Sequence, residues 1–301
     1  MAKQAQAARL EGSRWTPYIF IAPVAVYLLV FQGYPLLQEL ILSFTSTSLL
    51  SPSDHAFVGM RNYGDLVGTT DFHQVLLITA IYTVACVVLS IGLGLVAALL
   101  LNGPIPGRGF ARAMVTIPWA APPVAVALIF TWMLNAQYGI FNRALRALGF
   151  AAGAENWLDN ASLALPAILI TTIWQIFPFA SVVILSALQG VSEELRDAAV
   201  IDGADRLSVF RAVVWPTIQP SVMLLALFIT IWSLRRFDLI WLMTQGGGAE
   251  RYIRTMPVYA YLRTFNYYEA GMGAAVAIVM FLMLVVAAAT YFFLFRQEDQ
   301  L

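Results

Sequence analysis

Two groups of residues in this chain have types and spacing suited to chemistry, and in both the chemistry is recognition. The first is a charged island, EELRDAAVIDGADRLSVFRAVVWP (Glu193–Pro216), set between two long apolar runs. Glu193, Glu194 and Asp197 offer charge-assisted contacts to arginines, and Ala198 and Ala199 let another surface approach closely. The second is the run Arg235, Arg236, Phe237 and Asp238, with Trp132, Trp174, Gln175 and Trp232 elsewhere in apolar segments. Arginine pairs with anionic groups, whereas aromatic faces and an amide suit a polar solute with apolar ring faces. Catalytic and metal constellations are missing. Lys3 is the only lysine, so no glycine-rich loop here can present the lysine that a P-loop needs for ATP. His55 and His73 stand apart, and Cys86, the one cysteine, lies in an apolar run with no partner and reads as a small packed residue.

The island must be held by short helices. Ser192 is an N-cap, Glu193 and Glu194 favour the first turn, and Leu195, Ala198 and Ala199 share one helical face. Gly203 suits a turn of positive φ. Asp205 can cap a second helix carrying Leu207, Phe210 and Val214, and Pro216 limits it.

Composition sets the surroundings. Hydrophobic residues make up 60% of the 301, charged residues only 11%, and mean hydropathy is +0.76. Such a chain is an all-α, polytopic membrane protein, and its zero net charge offers no basic surface for nucleic acid. Six spans are expected, at about Tyr18–Phe44, His73–Leu101, Met114–Leu134, Ser162–Leu188, Ser221–Met243 and Ala270–Phe295. The first has no small-residue cleavage site and reads as an uncleaved span. Pro118, Pro122 and Pro123 should break or bend the third, either to line a moving pathway or simply for packing. Residues 135–161 read as an external segment with an amphipathic stretch at Ile140–Leu148, and Thr244–Thr255 as a glycine-rich external turn.

With six spans both termini share a side. Lys3, Arg9, Arg14, Arg108, Arg112, Arg196, Arg206, Arg211 and Arg296 fall on that side, against Arg61, Arg143, Arg146, Arg251, Arg254 and Arg263 on the other. The bias places the termini and the island in the cytoplasm. The expected organisation is a cytoplasmic tail (1–16), one membrane domain (17–295, with the charged island in a loop at 189–220) and a second tail (296–301).

On this plan Arg235, Arg236 and Asp238 lie inside the fifth span, about 21 Å along a span of about 30 Å. Ionisable residues there each cost about 2 to 4 kcal/mol, so they face a cavity or a partner. Two readings stand side by side: a structural salt bridge joining Glu39, Asp238 and an arginine, or a lining of a polar pathway by Arg236 or Asp238.

The island also resembles the E-A-A loop of membrane subunits of binding-protein-dependent ABC importers, in which E-A-A is followed by three residues, Gly, and later an apolar residue and Pro. Here the positions are Asp197, Ala198, Ala199, Gly203, Ala204, Phe210, Val213 and Pro216; Asp197 replaces the usual Glu, and Trp215 the usual Leu. Gly59, Asn62 and Tyr63 are similar to the family's G-x-x-N-Y, and Phe237, Asp238, Thr244, Gly246 and Gly247 to its F-D and T-x-G-G segment; the Arg235 and Arg236 pair is not part of that pattern. The resemblance is to the carbohydrate-type permeases of the maltose and glycerol-phosphate importer branch. It implies a bacterial-type inner membrane, a second permease subunit or a homodimer, and an external solute-binding protein delivering a sugar-like solute. It also implies two ATPase subunits that hold ATP and Mg, with no cofactor on this chain. ATPase docking falls to Glu193, Glu194, Asp197, Ala198, Ala199 and Gly203. The pathway candidates are Trp132, Trp174, Gln175, Trp232, Arg235, Arg236, Phe237 and Asp238. Alternatives are an importer of an anionic sugar derivative or glycerol phosphate, an ATP-independent secondary transporter, and an intramembrane enzyme, for which no clustered nucleophile is visible.

Overall fold

The computed structural model describes residues 16–51, 55–104, 106–149, 156–247 and 253–298. Among them there is no strand, only the isolated bridges Thr45 to Phe57 and Ser48 to Ser51. Five helices are long and apolar enough to cross a membrane, and a sixth crossing is supplied if one sharply bent pair counts as a span.

The first span, Pro17–Leu42, consists of α1 (Thr16–Leu28), a π-helical turn (Leu29–Gly33) and α2 (Tyr34–Leu42). Its apolar side chains are almost all exposed, and it reaches the rest of the chain through α2. Next come α3 (Arg61–Gly68), the long α4 (Thr70–Asn102), α5 (Arg108–Ala120) and α6 (Pro123–Met133). A short α7 (Ile140–Ala147) precedes α8 (Ala164–Gln189). The island supplies α9 (Glu193–Ile201) and α10 (Arg206–Val209); a π-helical turn (Phe210–Val214) then leads into α11 (Trp215–Leu234). The chain closes with α12 (Asp238–Gly247), α13 (Met256–Tyr261) and α14 (Ala270–Glu298).

Lipid is as apolar as a leucine core, so helices in a membrane are held by close packing and by satisfied polar groups. The centre is α4 against α8, with α11 packed on both. At their closest approach a Cβ on Gly94 would lie 2.6 Å from Ala180 Cβ and 2.9 Å from the Ser181 nitrogen, so only glycine fits. Tyr82, Cys86, Ile168, Ile184, Leu225, Ile229, Ile240 and Met243 fill the core around this contact. Tyr82 and Thr172 share a buried hydroxyl hydrogen bond of 3.0 Å. At one end of the bundle, buried Asn62 donates from Nδ2 to the Ser43 and Thr45 carbonyls, each at 2.8 Å, while Tyr63 hydrogen-bonds Ser43 Oγ at 2.6 Å. Asn62 of the G-x-x-N-Y match therefore satisfies backbone freed where the first span ends, and Tyr63 ties down the Ser43 side chain beside it.

The third span breaks as its prolines predict: α5 and α6 meet at Ala121 and Pro122 with a 92° bend, because Pro122 and Pro123 cannot continue the ladder. Two expectations are corrected. The fifth span begins at Arg206 and stops at Leu234, so Arg235, Arg236 and Phe237 form a break, not the interior of a membrane helix. Thr244 and the residues to Gly247 belong to α12, with Thr244 fully buried, so the glycine-rich turn starts later than its composition implies. Residues 1–15 of the expected N-terminal tail and residues 248–252 of that turn lie outside the described residues, and Thr16 already belongs to α1.

Candidate functional site

The island folds into a capped helix and turn. The Leu195 amide donates to Ser192 Oγ at 3.4 Å, and Glu193 and Glu194 occupy the positive end of α9. At the other end the Gly203 amide donates to the Val200 carbonyl and the Ala204 amide to the Ala199 carbonyl, each at 3.0 Å. This paired closure requires a left-handed residue, and Gly203 has φ of +86°. Asp205 Oδ1 then accepts from the Ser208 amide at 2.9 Å. The hydrogen bonds from Ser208 hold the Asp205 carboxyl below its ordinary value.

None of α9 is buried. Leu195, Val200 and Ile201 are 58%, 60% and 84% exposed, and Glu193, Glu194, Asp197 and Ala198 are exposed beside them, whereas Arg196 and Ala199 turn partly inward. An apolar and acidic surface on a fully capped helix is preorganised for a partner.

The second constellation sits at the break between α11 and α12. Arg236 donates from Nη2 to Gln175 Oε1, and Gln175 Nε2 donates to the Ala121 carbonyl at 2.9 Å. One side chain of α8, 4% exposed, thereby joins two helix breaks: the freed carbonyl at α5–α6 and the arginine at α11–α12. Trp232, Arg235, Arg236, Asp238 and Pro123 line a cavity of about 320 Å³. From it an aromatic row runs outward: Trp232 lies 5.0 Å from Phe179, which stacks on Trp119 at 5.4 Å between ring centroids.

The salt bridge expected among Glu39, Asp238 and an arginine is not formed. Among the described residues neither Arg235 nor Arg236 has a carboxylate within 4.0 Å, and the neutral Gln175 takes the Arg236 contact. Glu39 lines a different cavity with Phe237 and Tyr261. Phe237 stacks there on Trp241 at 5.6 Å and is separate from the arginine cavity. Nor do the three tryptophans gather: Trp174 packs on Phe130 at 5.2 Å, and Trp132 pairs with Tyr138 at 6.0 Å. Trp232, Arg235, Arg236 and Asp238 come together, Gln175 joins through Arg236, and Trp132, Trp174 and Phe237 do not. Pro123, one of the prolines read as lining a moving pathway, joins the cavity, whereas the Ala121 carbonyl was missed; the Pro122 and Pro123 pair was the available signal.

Residues 90–298, which include both constellations, match the family model described as "Binding-protein-dependent transport system inner membrane component". The chain belongs to that family. It is thus the permease of an ABC importer, a transport subunit and not an enzyme. The permease is 32% identical over 288 residues to the sulfoquinovosyl glycerol transport system permease protein SmoG of Agrobacterium fabrum, covering 96% of this chain and 92% of that one. It is 34% identical over 279 residues to the trehalose/maltose transport system permease protein MalF of Thermococcus litoralis, covering 91% of each. Its fold matches a crystallised bacterial ABC transporter involved in the import of the acidic polysaccharide alginate, with TM-score 0.78 at 20% identity over 95% of this chain and 96% of that one.

Proposed function

We propose that this permease passes a sugar-like solute from an external binding protein into the cytoplasm by alternating access, driven by ATPase subunits that dock on α9. The observation that carries the proposal is the capped α9, whose apolar and acidic surface is not covered by any of the described residues. The curated relatives named for sulfoquinovosyl glycerol and for trehalose and maltose support a sugar-like solute. Two ATPase subunits hold ATP and Mg. A second permease subunit, or a second copy of this chain, completes the membrane part. The termini and α9 face the cytoplasm, so that 1–16 and 296–301 are tails on a permease domain spanning 17–295. Glu193, Glu194, Asp197 and Ala198 form the docking surface, and Ala199 and Gly203 shape it.

The cavity of Trp232, Arg235, Arg236 and Asp238 is the candidate stretch of the solute pathway, with Gln175 holding Arg236 in place. Two arginines against one aspartate leave positive charge in a region where unpaired charge requires water or an anion. This favours a second reading of the solute, as an anionic sugar derivative. Closure of the ATPase dimer would move α9, and through Gly203 the span that begins at Arg206; the two breaks joined by Gln175 are where bending is cheapest. The test is uptake by proteoliposomes containing the assembled complex. Solute should enter only with ATP and with the solute-loaded binding protein, and entry without either overturns the proposal.

A further inference from the structure

Two adjoining cavities lie between α9 and the ends of the spans, and together they have the form of an amphiphile. The first, of about 440 Å³, is polar, and is lined by Arg108, Arg112, Arg196 and Glu193 beside Asn102 and Gln189. The second, of about 810 Å³, shares Asn102, Leu188 and Arg196 with the first but is walled by Leu99, Val209, Phe210 and Val214. These walls are the last turn of α4 and the first turns of the Arg206–Leu234 span, where a membrane helix meets the interface.

The arginines have more donors than the protein uses. Arg112 donates from Nη2 to the Leu101 carbonyl at 3.0 Å, and Arg196 from Nη2 to the Leu188 carbonyl at 3.4 Å, closing the ends of α4 and α8. The Nε atoms of both are enclosed and have no partner. Arg108 is exposed, with no side-chain hydrogen bond or ion pair among the described residues. Against three guanidinium groups stands the Glu193 carboxylate, and the C-termini of α4 and α8 are offset by the N-termini of α5 and α9. A positive surplus remains, which suits an anionic headgroup.

We propose that these cavities bind an anionic phospholipid, its phosphodiester among Arg108, Arg112 and Arg196 and an acyl chain in the cleft of Leu99, Phe210 and Val214. Arg196, Val200, Ala204 and Asp205 belong to the docking helix and its turn, so the lipid would brace α9 against the spans.

The test is native mass spectrometry of the full-length permease in mild detergent, titrated separately with phosphatidylglycerol and with phosphatidylcholine. Wild type should retain phosphatidylglycerol at concentrations where phosphatidylcholine is shed. Arg108→Gln should weaken phosphatidylglycerol about fivefold, as expected for one basic side chain at a membrane surface, whereas Arg108→Lys should stay near wild type. Arg108 carries no structural contact, so folding is not at stake. Millimolar inorganic phosphate should leave the lipid bound. Equal retention of the two lipids, an unaffected Arg108→Gln, or displacement by inorganic phosphate overturns the assignment. Release of the lipid on adding the ATPase subunits would assign the cavities to a protein partner and overturn it equally.

Discussion

Gly203 gives the sharpest handle on how α9 is held. Its φ of +86° lies in the left-handed region, yet a Cβ built there would meet nothing within 4 Å. Any penalty on substitution is therefore backbone strain and not steric clash. For alanine the left-handed conformation costs about 1–2 kcal/mol, which lowers the population of the native turn roughly five- to thirtyfold. Asparagine tolerates this region better, and a β-branched valine worse. The turn fixes the angle between the docking helix and the span that starts at Arg206, so the same order should appear in coupling. The assay is ATP hydrolysis by the assembled complex, with and without solute-loaded binding protein. Stimulation should fall in the order Gly203→Asn, Gly203→Ala, Gly203→Val. Gly92→Ala, where a Cβ also meets nothing, serves as the control and should stay at wild type. A Gly203→Val complex stimulated as fully as wild type, or Asn and Val losing equally, would refute the reasoning.

Other substitutions test other parts of the account. Arg236→Gln removes one charge-assisted contact, worth about 1.5–3 kcal/mol, so uptake of an anionic solute should drop at least about tenfold, with little change for a neutral one. Equal losses would show that Arg236 only supports structure through Gln175. Gly94→Ala forces a methyl into Ala180 and the α8 backbone and should cost about 1–3 kcal/mol in thermal unfolding in detergent; Gly94→Ala with Ala180→Gly should recover part of that loss. Asn62→Ala leaves the Ser43 and Thr45 carbonyls unpaired, at about 1–3 kcal/mol for each buried group. Asn62→Asp should be no better, because an ionised carboxylate cannot donate to either carbonyl, and wild-type stability in that variant would contradict the assigned role.

Much of this molecule was legible in its residues, and the parts that were not share a cause. Span positions follow from apolar runs long enough to cross a bilayer, and the caps at Ser192, Gly203 and Asp205 act where their chemistry placed them. The α5–α6 break was marked by its prolines, but the break between α11 and α12 was harder because hydropathy does not change across it. Leu234 and Leu239 are equally apolar and both buried, yet they belong to different helices. An apolar window runs through such a break, and only the adjacent arginines mark it. The Glu39 expectation failed for a related reason: depth along a span does not give the side of the helix a residue occupies, and Glu39 lines a cavity with Phe237 and Tyr261, apart from the arginines. Gln175 was read as a sugar contact from its type, and its role in joining two breaks depends on a carbonyl that no sequence pattern displays.

The central claim is that α9 is the surface on which the ATPase docks. Cys86, the chain's one cysteine, is buried, so Ala198→Cys introduces an exposed thiol with no competing reactive site. In the assembled complex, a short cysteine-to-lysine cross-linker should join this chain to an ATPase subunit through Ala198→Cys. The same treatment of Phe57→Cys, an exposed position at the Asn62 end of the bundle, should not. An ATPase adduct at Phe57→Cys with none at Ala198→Cys would contradict the account.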